Sequence, residues 1–225
     1  MSERFIVAID GPAASGKTTT AKEVAKRLKW VYIDTGAMYR GVAYRVKKSG
    51  IDPGDISMVE KIAGEVKIEF RGSAEGQRVF VDGEDVTEKI RTPEISRLAS
   101  LVSSYPGVRE ELVKRQREMG KKGKVICEGR DIGTVVFPDA DLKIFMTASL
   151  EERARRRQIE LKEKGINVSL EEVVEELRRR DEADSKRKHS PLKRAEDAVL
   201  LDTTNLTIEE QVNKVIEMIK ERGGA

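Results

Sequence analysis

The stretch from Phe5 to Thr19 constrains the fold of this chain more than any other part of the sequence. Its first residues, Phe5–Ile9, form an apolar run rich in β-branched side chains, which predicts a buried parallel strand. The run is followed by Gly11-x-x-x-x-Gly16-Lys17-Thr18, the complete pattern of a phosphate-binding loop, and by a helical pattern from Thr19 to Leu28. A strand, a glycine-rich loop and a helix N-terminus in this order predict a site for a nucleoside triphosphate.

The residue types of this loop suit a bound triphosphate. Gly11 and Gly16 allow a close backbone approach that a Cβ would forbid, so that successive N–H groups can surround an anion. Lys17 adds a positive charge near the β- and γ-phosphates, and the Thr18 hydroxyl can ligate Mg²⁺. The alternative, a glycine-containing turn that only joins a strand to a helix, does not require the complete pattern. The predicted ATP-binding residues are Gly11, Pro12, Ala13, Ala14, Ser15, Gly16, Lys17, Thr18 and Thr19.

The composition is that of a folded chain and predicts neither intrinsic disorder nor a membrane-spanning segment. The 225 residues are 38% hydrophobic and 37% charged, which is typical of one folded domain with inserts or of two small domains. No apolar run reaches the roughly 20 residues that a membrane span needs. We also expect no signal peptide, because the first predicted strand starts as early as Phe5.

Charge and cysteine content give no sign of a nucleic-acid partner or of an oxidising environment. The 43 basic residues are nearly balanced by 40 acidic ones, which leaves a net charge of only +3. The single Cys127 excludes an internal disulfide, and we expect it to be buried in a strand of a cytoplasmic protein. Abundant Lys, Glu and Arg beside few Asn and Gln resemble the surface of a thermophilic protein.

Four further apolar runs alternate with helical patterns, as in an α/β protein. They lie at Trp30–Ile33, Lys124–Glu128, Asp141–Met146 and Ala198–Asp202. With the first strand they predict a phosphate-loop fold of three layers, α/β/α, around a five-stranded parallel sheet. Functional side chains of such sheets gather at the carboxyl ends of the strands, so the residues after each run are candidates for binding.

The segment after the second strand carries candidate ligands for a second substrate. Thr35 and Tyr39 offer hydroxyl groups, and the Arg40 guanidinium suits bidentate binding of a phosphate. The same segment predicts an ordinary helix start with Asp34 or Thr35 as the N-cap. Both interpretations are compatible.

The next strand end carries a second group of candidates. Arg130 and Asp131 lie between two glycines, where Arg130 could hold a phosphate and Asp131 could accept hydrogen bonds from a base or a sugar. Glu128 could hold the water shell of Mg²⁺, where this fold class often has an aspartate. The alternative is a strained turn tied by a local ion pair.

Residues 51–92 have a different pattern. Val66–Arg71 and Gln77–Asp82 alternate apolar and polar residues, and Asp82-Gly83 is a hairpin signal with Glu84–Thr87 as a third strand. We therefore expect a small antiparallel insert in the α/β core.

Two helices are expected after this insert. The first opens at Thr92-Pro93, and the second runs from Val108 to Met119 after an interruption at Pro106. Ser100 and Arg109 could face one cleft from either side of the interruption. The alternatives are a plain helical serine and an exposed helical arginine.

Two highly charged helices resemble a mobile lid. The first spans Ser149 to Lys164, with Arg153 and Arg157 on one face, and the second spans Ser169 to Asp184 and starts with a capping box. Phosphoryl transfer needs cations around the migrating group and exclusion of water, which such a lid supplies. The alternative, a solvated pair of salt-bridged helices, suits most of these arginines.

Several longer motifs resemble those of bacterial cytidylate kinases, a family of the nucleoside monophosphate kinase superfamily. The motifs are Ile9-Asp-Gly-Pro-Ala-Ala-Ser-Gly-Lys17, Asp34-Thr-Gly-Ala-Met-Tyr-Arg40, Glu128-Gly-Arg-Asp-Ile-Gly-Thr134 with Phe137-Pro-Asp139, and Arg180-Asp181 followed by Asp184 and Arg187. The resemblance covers essentially the whole chain. The phosphate loop alone is shared by many triphosphatases, whereas the later motifs separate this chain from adenylate, shikimate and thymidylate kinases.

The resemblance implies a core of residues 1–34, 93–148 and 188–225, a monophosphate-binding subdomain of residues 35–92 with the antiparallel insert at about 64–90, and a lid of residues 149–187. It implies a kinase that transfers a phosphoryl group in line from ATP to CMP or dCMP with Mg²⁺. We expect this kinase to be cytoplasmic, as the lone Cys127 indicates, and monomeric, because no apolar seam suggests an obligate dimer. The implied partners are therefore small nucleotides, and neither a membrane nor a nucleic acid.

The resemblance also implies residue roles. Lys17, Arg153 and Arg157, with Asp131, would be catalytic, and Thr18 and Glu128 would serve Mg²⁺. The implied acceptor-binding residues are Thr35, Tyr39, Arg40, Ser100, Arg109, Arg130, Asp131, Arg180, Asp184 and Arg187. Thr35 stands where a serine is frequent in relatives, and Glu128 where an aspartate is frequent.

Two other functions are compatible with parts of the pattern. A kinase of another small acceptor, such as UMP or a non-nucleotide alcohol, would use the same loop. A non-nucleotide acceptor would leave Asp131 and Arg187 without evident purpose. A nucleotide-binding switch or RNA-associated module would hold ATP without an acceptor. The low aromatic content, 4%, disfavours a base-stacking surface.

Overall fold

A computed structural model describes residues 4–73, 76–121 and 123–224. Numbered in chain order, its strands are Phe5–Asp10 (β1), Val31–Asp34 (β2), Ile68–Ser73 (β3), Gly76–Val81 (β4), Glu84–Asp85 (β5), Lys124–Gly129 (β6), Leu142–Thr147 (β7) and Val199–Asp202 (β8). The larger sheet has the spatial order β2-β6-β1-β7-β8. Its central strand β1 pairs in parallel with β6 and β7, and β7 pairs in parallel with β8. The predicted five-stranded parallel sheet is confirmed.

The smaller sheet lies in the predicted insert and has the order β3-β4-β5, with antiparallel pairs. Asp82 and Gly83 join β4 to β5 with φ angles of 49° and 83°, which are the left-handed values that a tight type I′ hairpin requires. The third strand ends at Asp85 and not at Thr87. Residues 74 and 75 of the insert lie outside the described residues, as do residues 1–3, 122 and 225 of the predicted core.

The α-helices are Lys17–Leu28 (α1), Thr35–Lys48 (α2), Ile56–Glu65 (α3), Pro93–Val102 (α4), Pro106–Gly120 (α5), Leu150–Glu163 (α6), Leu170–Ser185 (α7) and Ile208–Glu221 (α8). Helix α1 begins two residues earlier than predicted, directly after Gly16. Helix α5 begins at Pro106, because proline lacks only an N–H that a first turn leaves unbonded anyway. The sequence pattern did not predict the short π-helical turn Ile132–Val136.

The main core lies around the parallel sheet. Every residue of β1 is buried, as expected for a central strand covered on both faces. Helix α8 contributes Val212, Val215 and Ile219, which share one face at helical spacing and are fully buried. A second apolar cluster joins α6 and α7 through Ala154, Leu161, Val173 and Leu177, together with Ala13 of the phosphate loop. Cys127 is buried in β6, as predicted.

Backbone contacts divide the chain into two compact units, Met1–Ile33 with Arg117–Ala225 and Asp34–Gln116. The boundaries given above for a monophosphate-binding subdomain and a lid are functional divisions, and they stay predictions. None of the described helices combines the length and the apolar character that crossing a membrane would require.

Candidate functional site

The loop from Gly11 to Gly16 connects β1 to α1 and has the geometry of an anion site. Gly11 has a φ of 152°, and a Cβ at this position would lie 1.9 Å from the carbonyl oxygen of Met146, so that only glycine fits. Gly16 is the N-cap of α1, and the first turn of this helix contains no acidic residue. No acidic side chain of its own first turn therefore neutralises the positive end of α1.

Lys17 is the buried cation of this loop. Its Nζ donates hydrogen bonds to the carbonyl oxygen of Pro12 at 2.6 Å and to Oγ of Ser15 at 3.2 Å. Burial, followed by the charge of Arg130, lowers the pKa of Lys17 to about 7, although Glu128 and Asp10 favour its charged form. A bound triphosphate would favour the charged form further.

Two side chains far along the sequence support this loop and the first turn of the helix that follows it. Oγ1 of Thr203, which follows β8 directly, donates a hydrogen bond to the carbonyl oxygen of Ser15 at 3.0 Å. Gln211 of α8 is fully buried and accepts a hydrogen bond from Oγ1 of Thr20 at 2.9 Å. Sequence reasoning missed both residues. The position of Thr203 at a strand end was the available signal for one of them, whereas Gln211 carried none.

Asp10, the last residue of β1, is a further residue that sequence reasoning missed. Its Oδ1 and Oδ2 accept hydrogen bonds from the backbone N–H groups of Ile132 and Gly133, each at 2.8 Å. Burial raises the pKa of Asp10 to about 6, although these hydrogen bonds and Lys17 favour its ionised form. Its place at the carboxyl end of a predicted strand was the available signal.

The structure brings several predicted acceptor ligands of the first unit together around Asp184. Nε of Arg130 donates a hydrogen bond to Oδ2 of Asp184 at 2.9 Å, and Nη2 of Arg187 lies 3.7 Å from Oδ1. Burial opposes ionisation of Asp184, but the charges of Arg130, Arg187 and Arg180 prevail and lower its pKa. Asp131, next to Arg130, is also buried.

The two predicted lid arginines differ in their surroundings. Arg153 is buried: its guanidinium donates hydrogen bonds to the carbonyl oxygens of Ala148 at 3.1 Å and Ala13 at 3.2 Å, and it pairs with Asp181 at 2.7 Å. It therefore links the phosphate loop to both α6 and α7. Arg157 pairs with Glu160 of its own helix at 2.8 Å.

Other arginines of α7 match the alternative of a solvated helix. Arg178 and Arg179 are exposed and pair with Glu175 on the same helix.

The second unit holds the remaining acceptor candidates. Oδ1 of Asp34 accepts a hydrogen bond from the N–H of Ala37 at 2.7 Å, so Asp34 is the N-cap of α2, and its Oδ2 pairs with Arg40 at 3.1 Å. Thr35 is the buried first residue of this helix.

Tyr39, Ser100 and Arg109 also lie in this unit. The Arg109 guanidinium is 5.5 Å from the centre of the Tyr39 ring, and its Nη1 donates a hydrogen bond to the carbonyl oxygen of Ser103. Ser103 in turn donates one from Oγ to the carbonyl oxygen of Ser100 at 2.8 Å. Arg109 is buried, so the alternative of an exposed helical arginine is wrong.

The donor set fits a Mg²⁺ ion that arrives with the triphosphate. No cluster of three or more His, Cys, Asp or Glu residues in the described part of the chain could hold a metal ion. Thr18 is exposed in the first turn of α1, while Glu128 is buried and accepts a hydrogen bond from the Tyr32 hydroxyl at 2.6 Å. Mg²⁺ commonly takes one or two protein ligands, with phosphate oxygens and water completing its coordination.

The sequence is similar to those of known kinases over nearly its whole length. The family model described as cytidylate kinase matches residues 7–221. A cytidylate kinase from Bacillus velezensis is 50% identical over 222 residues, which are 99% of each chain. A cytidylate kinase from Bacillus cereus is 51% identical over 219 residues, which are 97% of each chain.

Solved structures share the fold at low sequence identity. A gluconokinase from Sinorhizobium meliloti matches with a TM-score of 0.50 and 10% identity, over 98% of this chain and 94% of that one. An uncharacterised protein from Eubacterium ventriosum matches with a TM-score of 0.57 and 10% identity, over 96% of this chain and 99% of that one. At such identity the likeness concerns the fold alone.

Proposed function

This chain belongs to the cytidylate kinase family, and from that premise we propose that it transfers the γ-phosphoryl group of ATP to CMP or dCMP, with ADP and CDP or dCDP as products. The single observation that carries the proposal is the neighbourhood of Lys17 in the first unit. Lys17 is buried, the charge of Arg130 adds to the effect of burial in lowering the pKa of Lys17, and Arg130 itself pairs with Asp184. A loop for one anionic nucleotide thus lies near guanidinium groups suited to a second.

This transfer needs neither a covalent intermediate nor a strong general base. Its catalysis consists of positioning the two nucleotides and of stabilising the charge on the migrating group. Lys17, Arg153 and Arg157 supply that charge. To contact the migrating group, Arg153 must exchange its bonds to Ala13 and Asp181 for bonds to phosphate oxygens. Otherwise it acts indirectly, by holding the phosphate loop in place.

Magnesium, held by Thr18 and by the water shell that Glu128 supports, would neutralise charge on the phosphates when it is bound. Asp131 and Ser100 bind the edge of the cytosine, and Arg109 lies near the base. Arg40, Arg130 and Arg187 bind the acceptor phosphate or sugar, and Asp184 the sugar hydroxyls. Thr35, Tyr39 and Arg180 complete the acceptor-binding set. We place this kinase in the cytoplasm as a monomer, which size-exclusion chromatography with light scattering tests.

A coupled assay of ADP formation across nucleoside monophosphates tests the proposal. We expect ATP consumption to rise steeply only when CMP or dCMP is added. Preference for UMP or for a non-nucleotide alcohol would support a kinase of another acceptor instead. A slow ATP turnover that no acceptor changes would support a nucleotide-binding switch.

Asp131→Ala tests the proposed reading of the cytosine base. We expect the preference for CMP over other acceptors to fall about tenfold or more, because a site that loses a hydrogen-bonding partner discriminates poorly. The affinity for ATP should change much less. Asp139→Ala, which removes an exposed carboxylate eight residues further on, is the matched control. An equal loss of affinity for both nucleotides would contradict the role of Asp131.

A further inference from the structure

The π-helical turn Ile132–Val136 follows directly on Arg130 and Asp131, two of the proposed acceptor ligands. The backbone N–H groups of Val135 and Val136 both donate to the carbonyl oxygen of Asp131, at 2.9 Å and 3.2 Å. The orientation of Asp131 is therefore coupled to the geometry of this turn. Whatever fixes the start of the turn also fixes the backbone that carries Asp131.

The first N–H groups of a helical turn have no partner within the turn and need an acceptor from elsewhere. An aspartate at the N-cap usually supplies it. Here the N-cap is Asp131, and its carboxylate accepts none of the turn's N–H groups. Asp10 accepts them instead, one with each carboxylate oxygen, across 122 and 123 residues of sequence.

Asp10 is well suited to hold this turn firmly. It is the last residue of the central strand β1 and stands in register with Gly129 on one side and Phe145 on the other. Its side chain is only 5% exposed. A hydrogen bond from a buried backbone N–H group to a carboxylate is stronger than one between neutral groups.

We propose that Asp10 is a positioning residue for the acceptor: its carboxylate caps the turn Ile132–Val136, so that Asp131 serves the substrate and not the turn. This inference rests on the proposed function, because it assigns Asp131 to the acceptor base. We assign Asp10 no direct contact with either nucleotide, because both of its carboxylate oxygens accept backbone N–H groups of the turn. Its effect should therefore appear in acceptor binding and acceptor choice, and only weakly in ATP binding.

Asp10→Asn is the direct test, because it keeps the shape of the side chain but replaces one acceptor oxygen by an NH₂ group that faces a backbone N–H. Leaving one buried donor unsatisfied should raise the KM and the Kd for CMP about tenfold or more. The ratio of kcat/KM for CMP to that for UMP should fall as well, which a merely destabilised fold would not cause. The Kd for MgATP should change less than the Kd for CMP, since the loop N–H groups remain in place and bound phosphates keep Lys17 charged even without the Asp10 carboxylate.

Asp141→Asn is the control: Asp141 lies directly before β7, and its carboxylate accepts a backbone N–H group near the other end of β1. Oδ2 of Asp141 accepts a hydrogen bond from the N–H of Ile6 at 2.7 Å, and Asp141 is not part of the proposed binding machinery. We expect its KM for CMP and its acceptor preference to equal those of the unchanged protein. An Asp10→Asn variant with unchanged CMP binding and acceptor choice would overturn the proposal. An equal loss of CMP affinity and acceptor preference in Asp10→Asn and Asp141→Asn would overturn it as well.

Amide hydrogen exchange of the unchanged protein gives a test that does not depend on the folding of a variant. If Asp10 fixes the turn in advance, the amides of Ile132 and Gly133 are protected without any nucleotide. Protection that arises only after CMP is added would overturn the proposal. If the unchanged protein neither binds nor phosphorylates CMP, the proposed function fails, whatever the exchange of these amides shows.

Discussion

Lys17 shows at the residue scale how burial prepares a side chain for an anion. Its Nζ is bonded to the carbonyl oxygen of Pro12 and to Ser15 of its own loop, which hold a charge that burial disfavours. Phosphate oxygens are stronger partners for an ammonium group than these neutral oxygens. Exchanging the partners should therefore favour both binding of the triphosphate and the charged form of Lys17.

Lys17→Ala should remove most of the turnover and leave CMP binding nearly intact. Loss of one preorganised cation at the migrating group typically lowers kcat by about 10²–10³-fold. The coupled assay measures the turnover, and calorimetry measures CMP binding. Lys26→Ala, at an exposed position of the same helix α1, is the control. Unchanged turnover in Lys17→Ala would contradict the assigned role.

Binding of MgATP should take up protons at alkaline pH. Burial and Arg130 lower the pKa of Lys17 from 10.5 to about 7, so at pH 8 most of the free protein carries a neutral Lys17. Bound phosphates favour the ammonium form, and the uptake should approach about one proton at pH 8 but nearly vanish at pH 6. Calorimetry in buffers of different ionisation enthalpy measures this number. Lys17→Arg, which stays charged, should show no such uptake.

At the element scale, the α6–α7 hairpin combines strong local signals with a small apolar cluster of its own. Ser169 and Glu172 form a reciprocal capping box at the start of α7, and the two helices share a small apolar cluster. The same two helices carry Arg153 and Asp184. Local stability of the hairpin should therefore affect the proposed acceptor ligands at the end of α7.

Ser169→Ala should destabilise α7 by about 1 kcal/mol, because it removes the oxygen that accepts a hydrogen bond from the N–H of Glu172. Hydrogen exchange should accelerate within α7, and the KM for CMP should rise severalfold if the hairpin serves as a lid. Thr207→Ala removes the matching capping box of α8 and is the control. It should cost a similar free energy and leave the KM for CMP unchanged. Equal KM values for the two variants would count against a lid.

At the scale of the whole molecule, stability depends on the core beneath the parallel sheet. Ile144 of β7 is 1% exposed and belongs to the main apolar cluster, whereas Leu200 of the neighbouring strand is 50% exposed. The two positions differ in burial but not in secondary structure or residue size. They make a matched pair for measuring how much the core contributes.

Ile144→Ala should lower the free energy of unfolding by about 2–5 kcal/mol, because it removes buried methyl groups and leaves a cavity. Leu200→Ala, at its half-exposed position, should cost no more than about 1 kcal/mol. Urea unfolding followed by circular dichroism measures both values. An equal loss of unfolding free energy in the two variants would mean that Ile144 is not buried beneath the helices that cover the sheet.

The sequence by itself determined the features that depend on neighbouring residues. The phosphate loop, the five strands, the Asp82-Gly83 hairpin and the capping box at Ser169 were all predictable, because their physical causes act within a few residues of the chain. Element ends shifted by one or two residues, as at Lys17 and Pro106, because terminal turns accept several residue types.

The tertiary structure alone decided which distant groups meet. Asp10 reaches Ile132 and Gly133 because the sheet places β1 beside β6, and Thr20 reaches Gln211 across 191 residues because α1 packs against α8. No local sequence pattern encodes these pairs. The two members of each pair lie far apart in the chain, and they can form their hydrogen bond only after the sheet has assembled in the order β2-β6-β1-β7-β8. The sequence therefore shows which groups can donate, accept or carry charge. The order of the strands in the sheet decides which partner each of these groups meets.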